Sequence, residues 1–173
     1  MKYYNGFSLK DEEYLFEDYI TDTNYTICGF SYGAIKAFKK VQKELQLGNR
    51  VDKLILLSPA FFQTKSTKFK KLQLIGYKKH KINYLNQFLE SCFLPHKKIK
   101  VKTKDTKIEE LEELLNYQWI IDDLKFLEEK GVKIEVYLGG EDKIIDIVGA
   151  RELFLEMGTL TYMKNANHFL QID

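Results

Sequence analysis

The chain has 173 residues, of which 45% are hydrophobic, 14% aromatic and 30% charged, and its formal net charge is +2. This composition describes a folded protein with one core and excludes a disordered chain, and no apolar run is long enough for a membrane span. The first residues, Met1-Lys2-Tyr3-Tyr4-Asn5-Gly6, lack the apolar stretch of a signal peptide, and two cysteines (Cys28 and Cys92) fit free thiols better than a disulfide, so the expected location is the cytoplasm.

In chain order, a β-run over about 2–5 is followed by a helical pattern over about 9–20, with Ser8 placed to cap it. A second β-run over about 25–28 leads into Gly29-Phe30-Ser31-Tyr32-Gly33 and then a helix over about 32–46, closed by Gly48-Asn49. A third β-run covers about 53–58. After it, Ala60–Tyr117 reads as an inserted unit with apolar residues at roughly helical spacing, among them Phe69, Leu72, Tyr84, Leu85 and Phe88, and an acidic helix beginning near Ile108. The remainder alternates again: a helix over about 118–130, a strand over 133–138, a helix over 146–157 and a strand over 159–163. Strands alternating with helices specify an α/β protein with about five parallel strands, a single domain over 1–173 with 60–117 as a helical cap.

Two further expectations follow. Lys133-Ile134-Glu135-Val136-Tyr137-Leu138 alternates apolar with polar or amphipathic residues, whereas a parallel strand covered on both faces is apolar nearly throughout. If the strands lie side by side in chain order, right-handed crossovers place every connecting helix on one face. The other face then needs a folded-back segment, or a second copy of the chain, to cover it.

The small net charge also hides an asymmetry. Between Gln63 and Lys107 stand thirteen lysines against only Glu90 and Asp105, a local +11 balanced by −9 elsewhere. Such a split predicts a docking surface for an acidic partner.

The chemistry is carried by Gly29-Phe30-Ser31-Tyr32-Gly33. Between a strand and a helix, Gly-x-Ser-x-Gly is the pattern of a nucleophile elbow, with small residues where the chain doubles back on itself. A serine hydroxyl needs a base, and the chain offers His80, His96 and His168. The first two lie among lysines and read as surface residues. His168 follows the last strand at the sheet edge that also holds Ser31, so it is the expected base, and neither Ser31 nor His168 is assigned to the core. The acid should follow the strand at 133–138, and Asp142 in Gly139-Gly140-Glu141-Asp142 fits, with Glu141 facing away and Asp146 capping the next helix. Backbone N–H groups of Phe7 and Tyr32 would form the oxyanion hole. Neither a metal-ligand spacing nor a phosphate-binding glycine motif occurs, so no metal and no cofactor is expected.

Asn5-Gly6-Phe7, Gly29-Phe30-Ser31-Tyr32-Gly33-Ala34-Ile35-Lys36-Ala37, Gly131-Val132-Lys133-Ile134-Glu135-Val136 and Asn167-His168 together resemble the BioV-type pimeloyl-[acyl-carrier protein] methyl ester esterases, short α/β-hydrolases of biotin synthesis. The resemblance runs nearly end to end, including the short length and the basic middle. It implies that Ser31, His168 and Asp142 hydrolyse the methyl ester of a pimeloyl chain borne on acyl carrier protein, an acidic partner that the lysine-rich cap would receive. Two other readings remain at this stage: an esterase or thioesterase for free or CoA-linked short acyl groups, and a carrier-binding protein without catalysis. Ionic-strength dependence separates the first from the leading reading, and active-site labelling separates the second.

Overall fold

Residues 1–21, 23–157 and 159–172 are described by the computed structural model of the chain. Its strands are β1 (Lys2–Tyr4), β2 (Leu9–Lys10), β3 (Thr26–Phe30), β4 (Lys53–Leu57), β5 (Lys102–Thr103), β6 (Lys133–Gly139) and β7 (Thr159–Met163). Five of them form a parallel sheet in the order β1-β3-β4-β6-β7, while β2 and β5 pair antiparallel as a separate short ribbon. The helices are α1 (Tyr32–Gln46), α2 (Thr67–Lys79), α3 (Lys81–Phe93), α4 (Ile108–Asn116), α5 (Ile121–Glu129) and α6 (Ile147–Phe154).

Because strand side chains alternate between faces, each central strand splits its residues between two cores. Ile27, Leu54, Leu56, Ile134, Val136 and Leu138 meet the helical layer of α1, α5 and α6. Helix α1 buries Ala34, Ile35, Ala37, Phe38 and Val41 there, the three- and four-residue spacing of one helical face. It ends where Gly48 takes φ 74 and the Asn49 N–H reaches back to the Glu44 carbonyl.

Cys28, Phe30, Ile55 and Leu57 point the other way, and the chain itself covers them with Leu9, Phe16, Phe93, Phe169 and Leu170. Of the two expected covers for this face, it is the folded-back segment that is observed. Tyr137 packs against Tyr19 at 5.2 Å, and Glu135 sits between Lys53 and Lys133 at 3.0 and 2.8 Å, so the alternation along β6 reflects an amphipathic cover rather than a bare face.

That cover corrects one expectation. Residues 9–20 form no α-helix: Ser8 and Asp11 take positive φ (64° and 55°), β2 follows Ser8, and Glu13–Phe16 is a single 3-10 turn. The apolar spacing that read as a helix instead brings Leu9, Phe16, Tyr19 and Ile20 onto the sheet from an irregular path. Tertiary burial decides the backbone here. Phe16 is wholly buried, a gain of about 2–3 kcal/mol that a solvated helix could not provide.

The lysine-rich insertion is a helical hairpin, α2 and α3, followed by the β5 strand and α4. Its base is clamped: Gln63 and Trp119 exchange hydrogen bonds at 2.7 and 3.3 Å, and the Trp119 indole N–H donates to the Ala60 carbonyl at 2.9 Å. Phe69, Tyr84 and Phe88 pack inward, while most of its lysines stay exposed.

Candidate active site

Ser31 is where strand β3 turns into helix α1. Its backbone sits at φ 54, ψ −116, a strained conformation for a residue with a Cβ. Neighbours hold it there. The Ser31 N–H donates to the Leu57 carbonyl at 2.9 Å, and the Ser31 carbonyl accepts from the N–H groups of Ala34 and Ala60, both at 3.1 Å. The two flanking glycines are a steric requirement: a Cβ on Gly29 would overlap the Gly33 carbonyl, and one on Gly33 would overlap the carbonyls of Tyr4 and Asn5. The second overlap shows how tightly the loop leaving β1 is pressed onto the elbow.

His168 lies beyond β7, and its loop is built as firmly. Glycine backbones at 139 and 140 fit directly against the carbonyls of Ala166, Asn167 and Lys164, and the Glu141 N–H donates to the Ala166 carbonyl at 2.8 Å. Asn167 is fully buried and donates to the Phe93 carbonyl at 2.8 Å, which ties the end of α3 to the histidine loop. The ring of His168 packs against Phe30 at 5.0 Å.

The structure brings the three expected side chains together. Nε2 of His168 is 3.0 Å from Ser31 Oγ, and its Nδ1 is 2.6 Å from Asp142 Oδ2. The other carboxylate oxygen of Asp142 accepts the N–H groups of Ile144 at 2.7 Å and Ile145 at 3.3 Å, so both oxygens act as acceptors. With an acceptor facing Nδ1, the imidazole carries its proton on Nδ1 and leaves Nε2 free to take one from the serine. Relative exposures of Ser31, Asp142 and His168 are 4%, 6% and 0%. The assumption that Ser31 and His168 stand apart from the core therefore fails. They occupy the floor of a covered site, and His168 is itself a packing element.

The residues set aside are elsewhere. Glu141 faces Lys143 at 2.9 Å on the surface, and Asp146 caps α6, accepting from the Gly149 N–H at 3.4 Å. His80 is exposed between α2 and α3, and His96 bonds the Asn165 carbonyl at 2.7 Å.

For the oxyanion hole, peptide geometry supplies an orientation. The Gly6 carbonyl accepts from the Leu9 N–H at 3.2 Å, which aims that carbonyl into its own turn. In a trans peptide the Phe7 N–H must point the opposite way. Neither the Phe7 nor the Tyr32 N–H has a protein acceptor among the described residues, and the two rings touch at 6.4 Å. Both donors, one from the β1 loop and one from the first turn of α1, are thus left for something else.

Between the insertion and the sheet edge lies a cavity of about 260 Å³, walled by Phe62, Phe69, Tyr84, Phe88, Leu115 and Ile144, with Gln73, Gln87, Ser91 and Lys143 as its polar members. Three walls attach directly to the site. Phe88 packs on Phe7 at 5.6 Å, the Ile144 N–H holds Asp142, and Phe62 follows two residues after Ala60, whose N–H holds Ser31.

Two site residues carry little signal in the sequence. Asn167 is visible only as the neighbour of His168. Glu12 looks like one acid among several on an amphipathic stretch, yet it is fully buried and accepts the Gly6 N–H at 2.6 Å.

Comparison with solved structures places this architecture. An esterase from Exiguobacterium antarcticum superposes with a TM-score of 0.64 at 17% identity, over 84% of this chain and 60% of its own. The fold is that of the α/β-hydrolases. BioG from Haemophilus influenzae matches with a TM-score of 0.59 at 10% identity, over 97% of this chain and 87% of that one. The carboxylesterase CesB from Bacillus subtilis matches at 0.54 and 16% identity, over 85% and 54%. The chain therefore spans only a little over half the length of the first esterases and hydrolases it matches. No protein-family model and no curated protein matches its sequence. No described helix is long and apolar enough to cross a membrane.

Proposed function

We propose that the protein is a serine carboxylic ester hydrolase that cleaves the methyl ester of a pimeloyl chain carried on acyl carrier protein. The observation that carries the hydrolase reading is the continuous hydrogen-bonded line from Asp142 through His168 to Ser31 at a strained strand-to-helix turn. Similarity of fold to esterases agrees with it. The choice of substrate rests on the sequence resemblance and on the lysine-rich insertion.

In this reading Ser31 Oγ attacks the ester carbonyl while His168 Nε2 takes its proton. Asp142 accepts the Nδ1–H bond and stabilises the imidazolium. The carbonyl oxygen becomes an oxyanion facing the N–H groups of Phe7 and Tyr32, at the positive end of α1. Collapse returns the proton from His168 to the departing methoxide, releasing methanol and leaving an acyl-serine. Water deprotonated by His168 then releases the free carboxylate and restores Ser31.

Ser31 is nearly covered, and the apolar cavity that adjoins the site through Phe88 and Ile144 suits an acyl chain. Lys68, Lys71, Lys78 and Lys79 on α2 are exposed with no carboxylate in ion-pair range among the described residues. They offer an acidic carrier a cationic surface that would raise its association rate.

Incubation with methyl pimeloyl-carrier protein, followed by mass analysis of the intact carrier, tests the proposal. Loss of one methylene equivalent (methyl ester to acid) with the carrier linkage retained is the expected result. Release of the whole acyl chain would make the protein a thioesterase, and an unchanged carrier would refute this substrate.

A further inference from the structure

Most of the molecule's buried polar atoms are paired, and Glu12 is one of two described residues with an exception. Its Oε1 accepts the Gly6 N–H at 2.6 Å and the Tyr3 hydroxyl at 3.3 Å, whereas its Oε2 is buried with no partner. Leaving a carboxyl oxygen unsatisfied in the interior is costly. An apolar residue would cover the sheet here at less expense, so the acid has another use.

Its partner shows what that use is. Gly6 is tethered at both ends, its N–H by Glu12 and its carbonyl by the Leu9 N–H at 3.2 Å. The next N–H along the chain belongs to Phe7. With two successive peptide planes fixed, the direction of the Phe7 N–H has no remaining freedom. The surrounding chain is strained in support of this arrangement, for Ser8 and Asp11 both take positive φ. From the outside, the Ser8 carbonyl accepts the Lys104 N–H at 3.0 Å, and the β2–β5 ribbon pairs Leu9 with Thr103.

We propose that Glu12 is the positioning residue of the oxyanion turn: it holds Gly6 so that the Phe7 N–H stands ready for the oxyanion before substrate arrives. This rests on the reading of Ser31 as nucleophile. Burial pushes the Glu12 carboxyl above its usual range, against the Gly6 N–H, Tyr3 and Lys104, which pull it down.

The test compares three variants with p-nitrophenyl butyrate as substrate. Glu12→Gln keeps an acceptor at Oε1 and retains kcat within about threefold. Glu12→Asp withdraws the acceptor by one methylene and loses about tenfold. Glu12→Leu removes it and loses about 30- to 100-fold, the scale of weakening one oxyanion donor. KM stays within about threefold throughout, and affinity for a trifluoromethyl ketone, which forms a tetrahedral adduct, falls in step with kcat/KM. A merely structural role would leave kcat per folded molecule unchanged in all three. Folded Asp and Leu variants with kcat within threefold of wild type overturn the proposal, and if the Leu variant does not fold the Asp variant decides it. Labelling of wild type by a fluorophosphonate is measured first. A labelled wild type with equally active Glu12 variants sinks only this inference, whereas an unlabelled wild type sinks the hydrolase reading and this inference with it.

Discussion

The rim of the sheet and the lysine-rich insertion are built on opposite terms. At the rim, Ser31, Asp142, Asn167 and His168 are buried and each is held by two or more hydrogen bonds to backbone or to one another. On α2, Lys68, Lys71, Lys78 and Lys79 are exposed with no carboxylate in ion-pair range among the described residues. Rigid, dry placement is what proton transfer and oxyanion stabilisation require. Loose, solvated charge is what long-range attraction of a partner requires. Substitutions at the rim should therefore change kcat, and substitutions on the insertion should change KM and its salt dependence.

The sharpest break of that contrast is Ser31→Ala. Its kcat should fall by about 10³-fold or more, read with p-nitrophenyl butyrate, while the melting temperature stays within a few degrees. Asp142→Asn should follow with a loss of about 10²- to 10⁴-fold, since it favours the wrong imidazole tautomer without emptying the site. Gly33→Ala probes the backbone contact beneath the chemistry. Its Cβ would enter the Tyr4 carbonyl, so chemical denaturation should show a loss of about 3 kcal/mol. On the insertion, Lys68, Lys71 and Lys78 changed together to Glu should raise KM for the carrier-borne ester about five- to tenfold at low salt, an effect that fades as salt rises. The same variant should treat p-nitrophenyl butyrate as wild type does. A comparable loss on both substrates would dissolve the distinction between the two regions.

The smallest effect concerns Glu135. Burial opposes its charge, yet its bonds to Lys133 and Lys53 outweigh this and hold its carboxyl below the usual range. A carboxyl depressed in the folded state contributes stability above its unfolded value, near pH 4, and that stability is lost as pH falls through the folded value. Denaturation of wild type and Glu135→Gln at pH 6 and pH 3 should show a difference of about 1 kcal/mol or less at pH 6 that is smaller at pH 3.

What could be read from the residues depended on whether local chemistry or distant packing sets the backbone. The strands and the elbow were legible because Gly29, Ser31 and Gly33 answer a steric demand within five residues. Asp142 and His168 were legible because strand ends in a parallel sheet share one edge. Residues 9–20 misled because helical spacing of Leu9, Phe16 and Tyr19 is equally served by an irregular segment pressed onto Cys28, Phe30 and Ile55. Glu12 was hidden for the same reason, since its value lies in a contact with Gly6 that only this path creates. The burial of His168 was also unreadable, because its ring packs on Phe30 from a distant part of the chain and its loop is tied through Asn167 to Phe93 at the end of α3.

The most direct test of the account is reaction of the intact protein with a fluorophosphonate, with the modified residue located by peptide mass analysis. The account predicts a single adduct on Ser31 that disappears in His168→Gln, a variant chosen to fill the buried space. A folded wild type that stays unmodified, or one modified elsewhere, would contradict it.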